Sequence, residues 1–179
     1  SLIGGGERKA VAADAILNLW REDLATEKIT KSEMTQLAEL AQRLGFAFEP
    51  DARFGAPTLK RGGTAILFRQ PSESLAVPTP GYANAMALMQ LAVAVANSDG
   101  HVSLEEIQPL ERQIAKSLGL DEPQQRRLRA YVDWLAVEPP TLAGLSKKLE
   151  STIPEQRRHV ARLLADIAAI DGVVTPDEV

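Results

Sequence analysis

Leu91-Ala92-Val93-Ala94-Val95-Ala96-Asn97-Ser98-Asp99-Gly100-His101-Val102-Ser103-Leu104-Glu105-Glu106 is the stretch whose reading decides the fold. A run of small apolar residues at helical spacing leads into an Asp-Gly pair. That pair is a common turn, because Asp bonds backbone two residues on and Gly accepts positive φ. A new helix then starts. Ser103 and Glu106 have the spacing of a capping box, with the hydroxyl accepting an orphan N–H and the carboxylate reaching back. Val102 and Ile107 have the spacing of a hydrophobic staple across the same helix start.

The unit recurs 72 residues later, where Asp171-Gly172 stands for Asp99-Gly100. Aligning Leu91–Ile107 with Leu163–Val179 gives identities at Leu91/Leu163, Ala96/Ala168, Asp99/Asp171, Gly100/Gly172, Val102/Val174 and Glu106/Glu178. About one identity would arise from residue frequencies alone, so the chain carries an internal repeat of helix–turn–helix units. Thr175 and Glu178 repeat the capping box, and Pro176 takes the first helical position, where its missing N–H costs nothing. A partial third copy, Ile29-Thr30-Lys31-Ser32-Glu33-Met34, has box and staple but no Asp-Gly before it. The cap chemistry is therefore separable from the acidic turn.

Working outward, apolar spacing at Ala13, Leu17, Trp20 and Leu24 predicts a helix from Glu7 to about Leu24, and a second from Lys31 to Leu44 ends at Gly45. Phe46 to Gly81 is richer in Pro and Gly; Ala65-Ile66-Leu67-Phe68, beside Arg61-Gly62-Gly63, predicts a small β-hairpin or extended flap near 56–70. Pro71 to Gly81 reads as a linker or wrapping loop. Helices follow over Tyr82–Ser98, Leu104–Leu118 with Gly119 behind, and Glu122–Val137 after Asp121, stopped by Pro139-Pro140. A shorter helix follows Thr141, another runs from Pro154 to Ile170, and a last one has just begun at Val179. The expected architecture is all-α, a bundle of about seven helices with an internal pseudo-repeat and the small extended insertion. An N-terminal helical pair with its extended leader (1–81) packs on a main helical domain (82–179) that the C-terminus cuts short. The absence of an initial Met, the Gly4-Gly5-Gly6 lead and the stop inside a helix's first turn read as a piece of a longer protein.

Composition narrows the function. Aromatic residues are only 4% against 45% hydrophobic, so Ala and Leu do the packing, which favours closely approaching helices over a β-sandwich. A net charge of −4 supplies no global attraction to nucleic acid or to an anionic membrane. The absence of Cys excludes disulfides, thiolate metal sites and a thiol nucleophile, and suits a cytoplasmic address. No apolar run reaches the length of about 18 residues needed for a membrane span. Two histidines, no phosphate loop and no nucleophile elbow leave no catalytic constellation, so no enzyme is expected.

The remaining chemistry lies in the acids. Asp99 and Asp171 each follow a helix C-terminus, where the macrodipole disfavours negative charge. Two readings stay open: a turn alone, or a site where Asp99, Glu105 and Glu106, with Asp166, Asp171, Asp177 and Glu178, gather carboxylate oxygens for a hard divalent cation such as calcium. The spacing is not that of an EF-hand. His101 follows the first Asp-Gly, but Val173 stands in its place in the second copy, so it reads as a turn residue. Arg126, Arg127 and Arg129, together with Lys147, Lys148, Arg157, Arg158 and Arg162, are either a solvated helix face or a basic face for nucleic acid or an acidic partner. Trp20, Tyr131 and Trp134 lie among apolar neighbours and are expected in the core.

With Leu118-Gly119-Leu120 and Ala165-Asp166-Ile167-Ala168-Ala169-Ile170-Asp171-Gly172, the opening stretch resembles the TerB family, the helical module named for tellurite-resistance operons. The resemblance covers Tyr82–Val179, and Phe54-Gly55 with Gly62–Phe68 resembles the leader of long multidomain members. It implies an α-helical fold, no established catalysis, acidic residues that bind metal, and a role in bacterial responses to tellurite, phage and other stress. The partners it implies are other domains of the same chain or a stress-response complex, with nucleic acid as the weaker alternative. Asn97-Ser98 departs from a family pattern that often places a second acid there. The resulting expectation is a non-catalytic module that binds or senses a divalent cation; the alternative is a protein or nucleic-acid interaction scaffold whose acidic turns are purely structural.

Overall fold

The central strand explains the layout. In the computed structural model, which describes residues 8–20, 29–70, 78–97 and 104–141, Thr64–Arg69 forms β3, the middle of a three-stranded antiparallel sheet. It is flanked by β1 (Arg8–Ala12) and β2 (Phe46–Glu49), in the order β1-β3-β2. Side chains alternate between the faces of a strand. Ala65 and Leu67 accordingly enter one hydrophobic cluster and Ile66 and Phe68 another. A strand buried on both faces has no polar side to show, and for that reason Ala65–Phe68 is a continuous apolar run.

Helices cover both faces. Against one lie α1 (Ala13–Trp20) and α2 (Lys31–Arg43), whose Leu17, Met34 and Leu37 pack with Phe48 and Leu67. Against the other lies α5 (Glu122–Val137), with α3 (Pro80–Ala96) and α4 (Leu104–Ser117) packed on it, and their Tyr82, Met89, Ile114, Leu128 and Tyr131 share one core with Ala47, Ile66 and Phe68. The larger core thus takes side chains from both sides of residue 81.

Local sequence sets the helix ends. Thr30 and Glu33 close the capping box of α2, with Thr30 Oγ1 accepting the Glu33 N–H at 3.2 Å and Glu33 Oε2 accepting the Thr30 N–H at 2.9 Å. The staple forms too, Met34 being buried and Ile29 packed on the same cluster. Thr79 caps α3 ahead of Pro80, and Asp121 with Gln124 forms the box of α5. Gly45 and Gly119 follow α2 and α4 with positive φ of 79° and 61°, the left-handed exit that glycine adopts freely.

Five helices stand among the described residues, so the predominantly helical expectation holds. The sixth and seventh fall at 142–179, outside them. Two details differ from the sequence reading. The expected helix over Glu7–Leu24 is a strand and then a helix, because Arg8–Ala12 pairs with β3 from Arg8↔Phe68 to Ala12↔Thr64. Ala favours helix and Val favours strand, so the local preferences oppose one another and a distant ladder decides. The hairpin expected near 56–70 is instead this sheet. Residues 61–62 do make the expected turn, but it leads from the irregular chain into β3, whose partners lie at 8–12 and 46–49.

That turn is anchored from α1. Asp14 in the first helical turn accepts the Gly62 N–H at 2.8 Å and pairs with Arg61 at 2.9 Å. Both contacts hold the Asp14 carboxyl below its usual range, the backbone hydrogen bond first. Gly62 has φ 74°, and a Cβ on the adjacent Gly63 would stand 3.1 Å from both Lys60 O and Glu138 Oε1.

Candidate functional site

Of the seven acids expected at the paired turns, the structure describes the side chain of Glu105 alone, which is exposed at the start of α4. Asp99 falls in the connection from α3 to α4, outside the described residues, as do Asp166, Asp171, Asp177 and Glu178; Glu106 lies in α4, its side chain undescribed. Among the described residues no group of three or more His, Asp or Glu side chains is placed to hold a metal ion.

The basic residues divide. Arg126 pairs with Glu122 one helical turn back at 2.9 Å, an ordinary surface pair. Arg157, Arg158 and Arg162 lie outside the described residues. Arg127 is a correction to the sequence reading: it is 3% exposed and belongs to no surface. It donates from Nη1 to Glu49 Oε1 at 2.7 Å and to Asp51 Oδ2 at 3.1 Å. Its guanidinium carbon sits 4.1 Å from the centre of the Phe54 ring and 5.4 Å from that of Phe68. The signal was present in α5 itself, where Gln124, Arg127, Leu128, Tyr131, Trp134 and Leu135 form one buried stripe and the arginine occupies a core position.

Around Arg127 the polar groups are matched by partners. Arg53 holds Asp51 at 2.7 Å and donates to Gln42 Oε1 at 2.8 Å, and the Asp51 N–H donates to Glu49 Oε2 at 2.9 Å. Two guanidiniums thus face two carboxyls in a region closed to water. Burial pushes Glu49 up to about 8, against the pull of Arg127 and with a further push from Asp51. The two carboxyls hold Arg127 above its ordinary range despite its burial. Sealed and internally satisfied, the cluster fastens α5 to β2 and offers nothing to a ligand.

Two further links tie α5 to the sheet. Arg8 of β1 donates to Asp133 at 2.7 Å, and Glu138, just past the helix, accepts the Thr64 N–H at 2.7 Å. Tyr131 and Trp134 are buried in stacked contact at 5.8 Å, and Tyr131 takes a short hydrogen bond from Gln90. Trp20 is only partly buried, packed on the smaller core.

An apolar groove lies on the opposite side of the sheet from α5. Leu19, Leu40 and Leu44 are exposed along it, at 72%, 42% and 67%, over a floor of Phe48 and Leu67. Its volume is about 380 Å³, and Arg69, stacked on Phe46, supplies a cation at its edge. No helix of the described residues is long and apolar enough to cross a membrane.

Five helices on a small sheet define a predominantly helical module, in which α3–α5 supply most of the larger core. The family model for TerB, described as tellurite resistance protein TerB, matches residues 85–179, and the chain belongs to that family. No curated protein and no solved structure matches it.

Proposed function

We propose that this chain is a non-catalytic module of a bacterial tellurite-resistance-like stress response, working in the cytoplasm and binding a divalent cation at its duplicated acidic turns. One observation carries the reading: Asp99-Gly100 and Asp171-Gly172, with their trailing acids, both fall inside the family-matched segment. A carboxylate just beyond a helix C-terminus is electrostatically misplaced, and a bound cation reverses that penalty. Its partners are other domains of the same protein or a stress-response complex.

Thermal unfolding of the 179-residue chain with and without calcium tests the proposal. Binding to the native state alone stabilises it by mass action, so calcium raises the Tm, and Asp99→Asn combined with Asp171→Asn removes the rise. A wild-type Tm indifferent to calcium, magnesium and manganese rejects the cation site.

A second reading, an interaction scaffold, is favoured by the groove between α1 and α2. Its three exposed leucines and Arg69 suit an amphipathic segment that carries an acidic residue. A labelled peptide of that composition is retained by the wild type and released by Leu44→Lys under this reading. Salt-sensitive DNA retention lost on charge reversal at Arg157 and Arg158 would instead make nucleic acid the partner.

A further inference from the structure

A polar cleft of about 270 Å³ opens where α4, α5 and the start of β1 meet, lined by Arg8, Gln108, Glu111, Arg112, Arg129 and Asp133. Three guanidiniums face two carboxyls. Arg8 and Asp133 satisfy one another at 2.7 Å. Glu111 is only 3% exposed, yet its Oε1 accepts no hydrogen bond. The nearest cation, Arg129 Nε, stands 3.7 Å away, beyond hydrogen-bonding range. Arg112 makes no ion pair with any described residue. A buried carboxyl oxygen without a donor is costly, and the cavity in front of it is where a donor would arrive.

The cleft therefore has two unmet demands at once: an O–H or N–H for Glu111, and negative charge for Arg112, beside an Arg129 whose one ion pair among the described residues, to Glu111, is long at 3.7 Å. A single ligand meets both if it is an anion that keeps a proton on one oxygen. We propose that this cleft binds a protonated oxyanion of the phosphate class, its charged oxygens on Arg112 and Arg129 and its hydroxyl donated to Glu111 Oε1. Guanidiniums match such oxygens in geometry as well as charge. The carboxylate also sets selectivity, because sulfate, fully deprotonated near neutral pH, presents only oxygen lone pairs to Glu111 and is repelled. The cavity, of about 270 Å³, has room for free phosphate.

Burial holds the Glu111 carboxyl above its ordinary range, with Arg129, Arg8 and Arg112 pulling it down and Asp133 adding to the rise. Gln108 and Val132 complete the lining and do not titrate. Acidification therefore converts Glu111 from acceptor to donor and lifts the exclusion of sulfate.

Calorimetric titration of the 179-residue chain decides the matter, with sodium phosphate, glycerol phosphate and sodium sulfate as the probes. At about pH 8, phosphate is expected to bind about tenfold or more tighter than sulfate. Glu111→Gln, which can donate an N–H, narrows that ratio to about threefold or less, and Arg112→Ala on the open rim weakens phosphate about tenfold. Glycerol phosphate, whose ester phosphate has lost its last proton at about pH 8, is expected to bind weaker than free phosphate, and the reverse order overturns the donated hydroxyl. Absence of phosphate binding at roughly 10 mM, equal affinity for sulfate, or affinity unchanged by Arg112→Ala overturns the proposal. Arg112 is exposed, so its variant keeps the test decisive should Glu111→Gln fail to fold.

Discussion

Replacing Arg127 by Met tests whether the buried charge cluster holds the larger core to the sheet. Methionine retains length and fills the space under Phe54 and Phe68, so the change is chiefly the loss of a cation. Glu49 then loses its 2.7 Å donor, whereas Asp51 keeps Arg53. The cost depends on the protonation of Glu49. Its folded pKa of about 8 lies above the ordinary value of 4.5, so folding favours the neutral acid. That contribution is complete below the unfolded pKa and is lost as pH rises through the folded one. In the wild type the loss ends near 8, where Arg127 accepts the carboxylate as a partner. Without Arg127 the folded pKa moves higher still, and the decline continues. At about pH 7 the variant lacks a hydrogen bond to a neutral acid, a deficit of about 1–3 kcal/mol. Above pH 8 the deficit grows by up to about 1.4 kcal/mol per pH unit, toward the roughly 3–5 kcal/mol of a broken buried pair. Urea unfolding followed by tryptophan fluorescence at both ends of this range measures it, since Trp134 lies in the same core. A deficit under about 1 kcal/mol at pH 9, or one identical at pH 7 and 9, refutes the reasoning.

Other perturbations probe separate parts. Asp121→Ala removes the capping box of α5 and lowers unfolding free energy by about 1 kcal/mol, as Thr30→Ala does at α2; the double variant sums the two, measured by urea titration. Gly62→Ala costs about 1–2 kcal/mol through its left-handed backbone alone, since its Cβ would meet nothing within 4 Å. Asp14→Asn flattens the acid side of the stability profile, because a carboxylate with a depressed pKa stabilises above the ordinary range and is lost as pH falls through its folded value; melts across acidic pH read the difference.

What was legible in the sequence was what a few neighbouring residues decide. Thr30 with Glu33, and the exits at Gly45 and Gly119, fixed helix ends through contacts spanning less than two turns. The ends of α5 followed from Asp121 on one side and Pro139 on the other. The strand at Arg8–Ala12 was hidden because its evidence is a backbone ladder to residues 64–68, with no alternation of its own. Arg127 misled because its two neighbours Arg126 and Arg129 suggest a surface, although the stripe it shares with Leu128 and Tyr131 placed it inside. The polar cleft had no local signature, since Arg8 and Asp133 are 125 positions apart and only the fold makes them neighbours. The acidic turns show the opposite case, conspicuous by repetition, with a chemistry that titration rather than pattern must establish.

The fastening of α5 has an implication for where this chain can be divided. The family match begins at residue 85, while Arg8, Glu49, Asp51 and Thr64, which hold α5 through Asp133, Arg127 and Glu138, all precede it. The family-matched segment and the unit of stability therefore do not coincide here. A segment excised at the family boundary would carry a buried cation without its counter-charges and an apolar face without its sheet. In this chain the sheet and α5 share their charges and their core, and moving α3–α5 to another host requires the sheet to move with them.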